Sequence, residues 1–282
     1  MDLSRFRSMI QTASTLLSNG YVGSVLTKTV STNALKGFCV PYLNCYSCPS
    51  ALFSCPIGTF EHFMALHNVP YLLLSMLGAI GIAVGRMACG WACPFGFLQD
   101  LLHKVRSPKF RLPVALRYLK YGFLVIFVLL LPYLTGDTWF SKICPAGTLM
   151  AGLPWIIWNP TNPVTGEKIL PGTPDLHFFI VLTSLLGFLA LFVFIRRPFC
   201  KAICPLGAIF SFFNGVSLVR LKVAKDCDLC NWCEVHCPMD LNVPLELNSG
   251  ECIRCLECTR CGHVEVITPF SKDVEPESET NV

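Results

Sequence analysis

Charged side chains are scarce in this chain of 282 residues. They make up 14% of it, against roughly 25% in an ordinary soluble protein, whereas 53% of the residues are hydrophobic. This composition argues against a fully soluble enzyme and excludes a disordered protein, a coiled coil and collagen. Residues 1–220 hold six acidic residues against 17 Lys and Arg, but residues 221–282 hold 12 acidic and five basic ones. We therefore predict a basic apolar body (1–221), a small acidic module (222–268) and an acidic disordered tail (269–282).

Several catalytic signatures are missing as well. The sequence has no C-x-x-C-H haem-attachment motif, no phosphate-binding loop and no recognisable nucleophile or general acid, so covalent haem and nucleotide chemistry are not expected. The first 20 residues contain Arg5 and Arg7 but no dense apolar core, and we do not expect a cleaved signal peptide. Basic residues flank apolar runs, which favours membrane orientation over nucleic-acid binding.

Three apolar runs, 69–88, 118–134 and 176–195, predict transmembrane helices. A weaker segment, 8–26, is either a fourth span or an amphipathic surface helix. Basic residues gather between the first two runs and after the third: Lys104, Arg106, Lys109, Arg111, Arg117, Arg196, Arg197 and Lys201. The positive-inside rule then places the 89–117 loop and the C-terminal module in the cytoplasm. We expect an all-α protein of about four helices in the lipid of a prokaryotic cytoplasmic membrane.

Eight of the 17 cysteines lie in the acidic module. Cys227, Cys230, Cys233 and Cys237 have the C-x2-C-x2-C-x3-C-P spacing of bacterial ferredoxin cluster loops. Cys252, Cys255, Cys258 and Cys261 form a second run, whose last spacing is x2 and which has Gly262 in place of the proline.

Because the fourth cysteine of such a loop serves the neighbouring cluster, we predict two [4Fe–4S] clusters in an α+β ferredoxin module. One has Cys227, Cys230, Cys233 and Cys261 as ligands, and the other has Cys237, Cys252, Cys255 and Cys258. A zinc site is disfavoured, since zinc sites typically split two cysteine pairs across a longer gap.

The apolar body contains a repeated cysteine motif. Cys-Pro-x-Gly begins at Cys55, Cys93, Cys144 and Cys204, and two copies extend to C-x3-C-P through Cys89 and Cys200. The alternation of short and long forms predicts two related halves. Proline is favoured at the first position of a helix, so each cysteine should lie at a helix N-terminus, where free N–H groups stabilise a thiolate. Buried structural cysteines are the alternative interpretation.

The predicted topology sorts these cysteines into two faces. Cys89, Cys93, Cys200 and Cys204 fall at the cytoplasmic ends of helices and would bind an inner cluster. On the outer face, Cys45, Cys48, Cys55 and Cys144 would bind another, with Cys39 as a substitute ligand. Disulfides among the outer cysteines are the alternative. The body is thus expected to hold one or two further iron–sulfur clusters.

These motifs resemble the NapH-type family of membrane polyferredoxins, named after the quinol dehydrogenase membrane component of periplasmic nitrate reductase systems and related to NosR and CcoG. The similarity spans about residues 69–262. Gly90-Trp91-Ala92-Cys93-Pro94 and Cys204-Pro205-Leu206-Gly207-Ala208 are its most specific parts. The resemblance implies electron exchange with the quinone pool and with an iron–sulfur or haem partner protein, without the flavin domain of NosR-like proteins.

A quinone headgroup needs a polar or proton-relaying side chain near the membrane edge. The candidates are Glu61, His62, His67, Asp137, Asp175 and His177 on the outer side and Gln99, Asp100 and His103 on the inner side. The resemblance therefore implies an electron-transfer subunit of a quinol oxidoreductase. The alternative is an assembly or regulatory factor that reduces metal or thiols during maturation of another metalloenzyme.

Overall fold

The computed structural model describes residues 3–24, 34–158, 176–224, 226–228 and 230–269. The acidic tail from residue 270 onward, Asp175 and the side chain of His177 lie outside the described residues. The described part is mainly helical with one two-stranded sheet. The mainly helical fold class predicted from the sequence is confirmed.

The body consists of helices α1 to α11, some of them very short. Their bounds are α1 Leu3–Ser18, α2 Pro56–Ala65, α3 Tyr71–Val84, α4 Met87–Trp91, α5 Pro94–Leu102, α6 Val114–Thr135, α7 Trp139–Ile143, α8 145–158, α9 Leu176–Phe194, α10 Pro198–Ala202 and α11 Pro205–Phe213. Two of them contain π-helical stretches, Leu124–Leu130 in α6 and Thr148–Gly152 in α8. A short 3-10 helix, Ala34–Gly37, precedes the outer cysteines.

The cysteine-rich module is framed by a small antiparallel sheet. Strand β1, Arg220–Val223, pairs with β2, Val264–Ile267, so that Val223 faces Val264. Between the strands lie two short helices, α12 (Trp232–His236) and α13 (Val243–Glu246), and a 3-10 turn, Glu257–Cys261. The sheet thus ties together the two ends of the segment that carries the eight C-terminal cysteines.

The body repeats one order of elements. A long apolar helix, α3 or α9, is followed by a five-residue helix, α4 or α10, and then by a nine-residue helix, α5 or α11. The residue before α2, α5, α8 and α11 is in each case a cysteine, and proline is their first residue. The helix starts predicted from Cys-Pro are confirmed, because proline suits the first helical position.

The apolar runs differ in length from their predicted spans. Among the described residues, α6 is the one helix long and apolar enough to cross a membrane, and 17% of its apolar window is buried. Helix α3 has 14 residues, about 21 Å at 1.5 Å per residue, against roughly 30 Å of bilayer core. It ends before Gly85, whose φ of +59° breaks the helix. The helix is therefore shorter than the predicted run 69–88, and whether it crosses a membrane stays a prediction.

The N-terminal helix α1 carries its polar side chains inward. Arg7, Gln11 and Ser18 are buried, whereas Leu16 and Leu17 are exposed. Gln11 donates to the Gly90 carbonyl at 2.9 Å, so α1 covers the segment between Cys89 and Cys93. The weak segment 8–26 is not a single helix, because α1 ends at Ser18.

Buried ion pairs join the basic body to the acidic module. Arg86 and Lys120 both pair with Glu251, and Lys201 pairs with Asp240. Two further pairs are Arg7–Glu257 and Arg117–Glu246. The sequence interpretation of Arg117, Arg197 and Lys201 as residues flanking the membrane is corrected here: all three are buried. They compensate acidic side chains inside the protein, because a buried charge requires a partner.

Candidate functional site

Four buried cysteines of the body meet between its two halves. Cys89 and Cys200 lie in α4 and α10, and Cys93 and Cys204 precede α5 and α11. The backbone N–H of Gly96 donates to Cys93 Sγ at 3.4 Å, and that of Gly207 donates to Cys204 Sγ at the same distance. We call this group, Cys89, Cys93, Cys200 and Cys204, the inner site.

The thiols of the inner site lie close enough to influence one another electrostatically. Burial, followed by the neighbouring Cys200 and Cys89, raises the pKa of Cys93 to about 12, although the Gly96 N–H opposes the rise. The sequence argument that a helix N-terminus stabilises the thiolate is thus incomplete. The N–H donors are present, but burial outweighs them at Cys93, so this thiol needs a bound cation to ionise at neutral pH.

The module brings a second set of four cysteines around one cavity. Cys237, Cys252, Cys255 and Cys258 line it, and Met239 and Ile253 supply apolar walls. Burial raises the pKa of Cys255 to about 12. We call this group the proximal site, because the carbonyl of Ile253 lies against Gly90, which stands between Cys89 and Cys93 in the sequence.

A third set, Cys227, Cys230, Cys233 and Cys261, lines a separate cavity that we call the distal site. Cys233 Sγ and Cys261 Sγ are 3.3 Å apart. Cys230 is the one cysteine of the chain that is exposed. The proximal and distal sites contain the same two sets of four into which the sequence divides the C-terminal cysteines.

Three of the four cysteines predicted for the outer face come together. Cys45, Cys55 and Cys144 line one cavity, which we call the outer site. Cys48 does not line it, and its Sγ lies 3.3 Å from Ser50 Oγ. Cys39 does not line it either, and contacts Thr59 Oγ1 at 3.4 Å. All 17 cysteines are free thiols in the structure.

The four sites differ from a mononuclear metal centre. Within the described ranges, no group of three or more His, Cys, Asp or Glu side chains could hold a single metal ion. The cysteines of the proximal, distal and outer sites instead surround cavities with largely apolar walls. Four thiolate donors in such surroundings are the ligand set of a [4Fe–4S] cluster.

Glu61 is a buried carboxylate beside the outer site. Its side chain accepts hydrogen bonds from the backbone N–H of Phe140 at 2.6 Å and of Ser141 at 3.1 Å, and from the Ser141 hydroxyl. Phe140 and Ser141 themselves line the outer cavity. Burial raises the pKa of Glu61 to about 7, although these donors oppose the rise. At neutral pH Glu61 can therefore gain or lose a proton.

This raised pKa predicts a pH-dependent stability. The native state favours the protonated form of Glu61. The contribution of this residue to the free energy of unfolding is therefore complete below pH 4.5 and is lost as the pH rises through 7. The loss amounts to about 3 kcal/mol at 1.36 kcal/mol per pKa unit. We expect the Tm advantage of the parent over Glu61→Gln to shrink between pH 5.5 and 8.5.

The control for this pH profile is Asp137→Asn, which changes an exposed acid on the same side. Hydrogen bonding to Lys142 lowers the pKa of Asp137, so its Tm difference from the parent should stay flat over that range. A flat profile for Glu61→Gln as well would contradict the raised pKa of Glu61.

The other quinone candidates have varied surroundings. Asp100 pairs with Arg197 and Arg7, and Gln99 donates to Cys200 Sγ at 3.2 Å. Asp137 pairs with Lys142 near the surface, and His67 packs on the ring of Tyr133. Among the described residues, Glu61 therefore combines complete burial, a pKa near neutrality and proximity to an outer cysteine site.

Two segments that lie mainly in the body match a known protein family. Residues 68–113 and 177–224 match the family model of a 4Fe-4S binding domain, and each matched segment contains one long cysteine motif. The uncharacterized protein MJ0750 of Methanocaldococcus jannaschii is 34% identical over 215 residues, which cover 72% of this chain and 80% of that protein. The ferredoxin-type protein NapH of Haemophilus influenzae is 26% identical over 225 residues, which cover 73% of this chain and 70% of NapH.

The chain belongs to the NapH/NosR-type polyferredoxin family. The resemblance stated from its cysteine motifs is thereby confirmed. The regulatory protein NosR of Pseudomonas aeruginosa is 27% identical to this polyferredoxin over 209 residues, which cover 68% of the chain but 26% of NosR. No solved structure matches the chain. Iron–sulfur clusters are the cofactors of this polyferredoxin, and electron transfer is its activity.

Proposed function

We propose that this polyferredoxin is a membrane-embedded subunit that passes electrons between the quinone pool and a partner redox protein. The observation that carries the proposal is the contact between the inner and proximal sites. A Cβ atom added to Gly90, next to Cys89, would lie 2.5 Å from the carbonyl oxygen of Ile253. The indole N–H of Trp91 donates to the carbonyl of Arg254 at 2.9 Å. Two four-cysteine sites thus flank one backbone contact, which suits electron transfer between them.

The assignment of ligands follows the four groups of cysteines. The distal and proximal sites would each bind a [4Fe–4S] cluster through their four thiolates, and the inner site would bind a third. Three thiols and a fourth ligand, Cys48 or Cys39 after a local rearrangement, would bind a fourth cluster at the outer site. The support is the burial of one thiol in each of three sites: burial raises the pKa of Cys93, Cys255 and Cys45 to about 12, so the positive charge of iron would hold these three ionised.

The proposed membrane arrangement has several apolar helices in the bilayer. α6 is long enough to span it, while α3 and α9 would cross with their short flanking helices at the inner face. Large apolar side chains on these helices point outward, including Leu72, Leu134 and Ile180, which are 83%, 68% and 59% exposed. Lys104 and Arg106 remain exposed in the 89–117 loop. They support a cytoplasmic location for this loop and for the module.

The proposed quinone site lies at the outer face, next to Glu61. Reduction of a quinone takes two electrons and two protons, and oxidation of the quinol returns them. Glu61 would exchange one of those protons, since it is buried beside the outer cavity and titrates near neutral pH. The partner redox protein would exchange electrons at the distal site, where Cys230 is exposed.

The direct test is the reaction of the reduced protein with a quinone. The full-length protein, purified without oxygen in detergent, is reduced with dithionite, freed of excess reductant and mixed with a short-chain quinone analogue. We expect rapid recovery of the visible absorption of oxidised iron–sulfur clusters, and slower recovery in Glu61→Gln. Reduction of metal ions or thiols without any reaction with quinone would contradict the proposal and favour the maturation role.

A further inference from the structure

An arginine precedes each long cysteine motif by three residues. Arg86 stands before Cys89 and Arg197 before Cys200, which extends the repeat to R-x2-C-x3-C-P-x-G. Both side chains are completely buried, at 0% exposure. Burial of two guanidinium groups is costly unless hydrogen bonds and opposite charges compensate it.

The two arginines cross over to each other's half. Arg86 Nη2 donates to the carbonyl of Cys200 at 3.0 Å, and Arg197 Nη1 donates to the carbonyl of Cys89 at 3.0 Å. Each arginine thus ties its own half to the long motif of the other half. The contact is reciprocal, as expected for two related halves that face each other around the inner site.

The glycine of each Cys-Pro-x-Gly makes room for the arginine of the other half. A Cβ atom on Gly207 would lie 2.9 Å from Arg86 Nη2, and one on Gly96 would lie 3.4 Å from Arg197 Nη1. The same glycines donate their N–H groups to Cys204 Sγ and Cys93 Sγ. Cysteine, glycine and the opposite arginine therefore form one unit on either side of the inner site.

The partners of the two arginines differ. Arg197 binds Asp100 through two nitrogens, at 2.8 and 2.6 Å. Arg86 binds Glu251 at 3.2 Å and the carbonyl of Gly250 at 2.7 Å, but Lys120 shares the same Glu251 carboxylate. On the Arg86 side, two cations thus face one anion close to the inner thiols.

We propose that Arg86 and Arg197 are reciprocal positioning residues that align the two cysteine pairs and raise the reduction potential of a cluster at the inner site. The proposal rests on the inner cluster assigned under the proposed function. A cluster with four thiolate ligands becomes more negative when it gains an electron. Buried positive charge nearby stabilises that reduced form most, because the local dielectric constant is low.

The test is a redox titration of the full-length protein in detergent, followed by EPR spectroscopy. The inner signal is identified by its absence in Cys200→Ala. In Arg86→Gln and Arg197→Gln, we expect the ratio of reduced to oxidised inner cluster at a fixed potential to fall at least tenfold. Tenfold corresponds to about 59 mV for a one-electron couple. The signals of the module should titrate as in the parent, and so should the inner signal of Arg106→Gln, which alters an exposed arginine.

Lysine variants separate charge from alignment. Arg86→Lys and Arg197→Lys keep the charge but lose the planar fork that reaches both a carbonyl and a carboxylate. In these variants we expect the ratio of reduced to oxidised inner cluster at a fixed potential to stay within about threefold of the parent's ratio. We also expect them to bind less iron. If the glutamine variants fail to fold, the lysine variants decide: a shift of tenfold or more despite the retained charge would overturn the proposal.

Iron content separates failure of this inference from failure of the proposed function. An inner potential that is unchanged in all four arginine variants, with iron content as in the parent, would overturn the role of the arginines alone. A parent protein whose iron and inorganic sulfide fit the module clusters only would instead remove the inner cluster itself, and with it the proposed route across the body.

Discussion

Replacing Cys200 with alanine should remove about four iron atoms per chain, the content of one [4Fe–4S] cluster, and should abolish electron transfer between the module and the outer face. Cys200 is buried at the inner site, and Gln99 donates a hydrogen bond to its sulfur at 3.2 Å. No other described cysteine lies in α10 to replace it. The module has its own eight cysteines, so its two clusters should persist.

The measurement is iron and inorganic sulfide per chain, together with the EPR spectrum of the dithionite-reduced protein. Thr183→Ala is the control, because Thr183 is exposed on α9, its hydroxyl donates to the carbonyl of Phe179, and it lines none of the cavities of the outer, proximal or distal sites. It should keep the iron content of the parent. Equal iron contents in Cys200→Ala and the parent would show that the inner site binds no cluster.

Gly90→Ala should separate the inner from the proximal site. The added Cβ would lie 2.5 Å from the carbonyl oxygen of Ile253, which is backbone and cannot rotate away as a side chain could. The module must therefore move, and Trp91 and Arg254 must give up their hydrogen bond. We expect a loss of about 1–3 kcal/mol in stability, as for other overpacked sites, and slower electron transfer from the module to the inner site.

Two measurements check this prediction. Thermal unfolding reports stability, and freeze-quenched EPR after mixing with a reduced electron donor reports how fast the inner signal appears. Gly78→Ala is the control: Gly78 lies in α3 with nothing within 4 Å of an added Cβ, and alanine favours a helix over glycine by up to about 1 kcal/mol. If both variants behave like the parent, the contact between Gly90 and Ile253 does not govern transfer.

The sequence predicted the local cysteine geometry well because short spacings and Cys-Pro pairs are local constraints. Three cysteines separated by two residues lie on one turn of chain, and proline fixes the helix start that follows Cys93 or Cys204. The outer loop lacks such constraints. Cys48 lies three residues after Cys45 but contacts Ser50, because the direction of the loop depends on distant packing that spacing does not encode.

Charge was harder to interpret for a similar reason. Arg197 and Lys201 follow an apolar run, as residues that flank a membrane span do, yet they pair inside the protein with Asp100 and Asp240. Sequence shows the sign of a charge but not its partner when the partner is 39 or 97 residues away. The opposite net charges of body and module can be counted in the sequence. The structure shows that the basic side chains of the body pair with acidic side chains of the module.

The buried ion pairs between body and module also bear on the proposed exchange of electrons with a redox partner. A ferredoxin domain that swings on a tether must detach, and detachment here would strand Lys120 and Lys201, both 0% exposed, without their carboxylates. The module is therefore held in a fixed position on the body. Under the proposed function, the partner would have to diffuse to the module and collide near Cys230, so the concentration of that partner, rather than a domain motion, should limit the exchange rate.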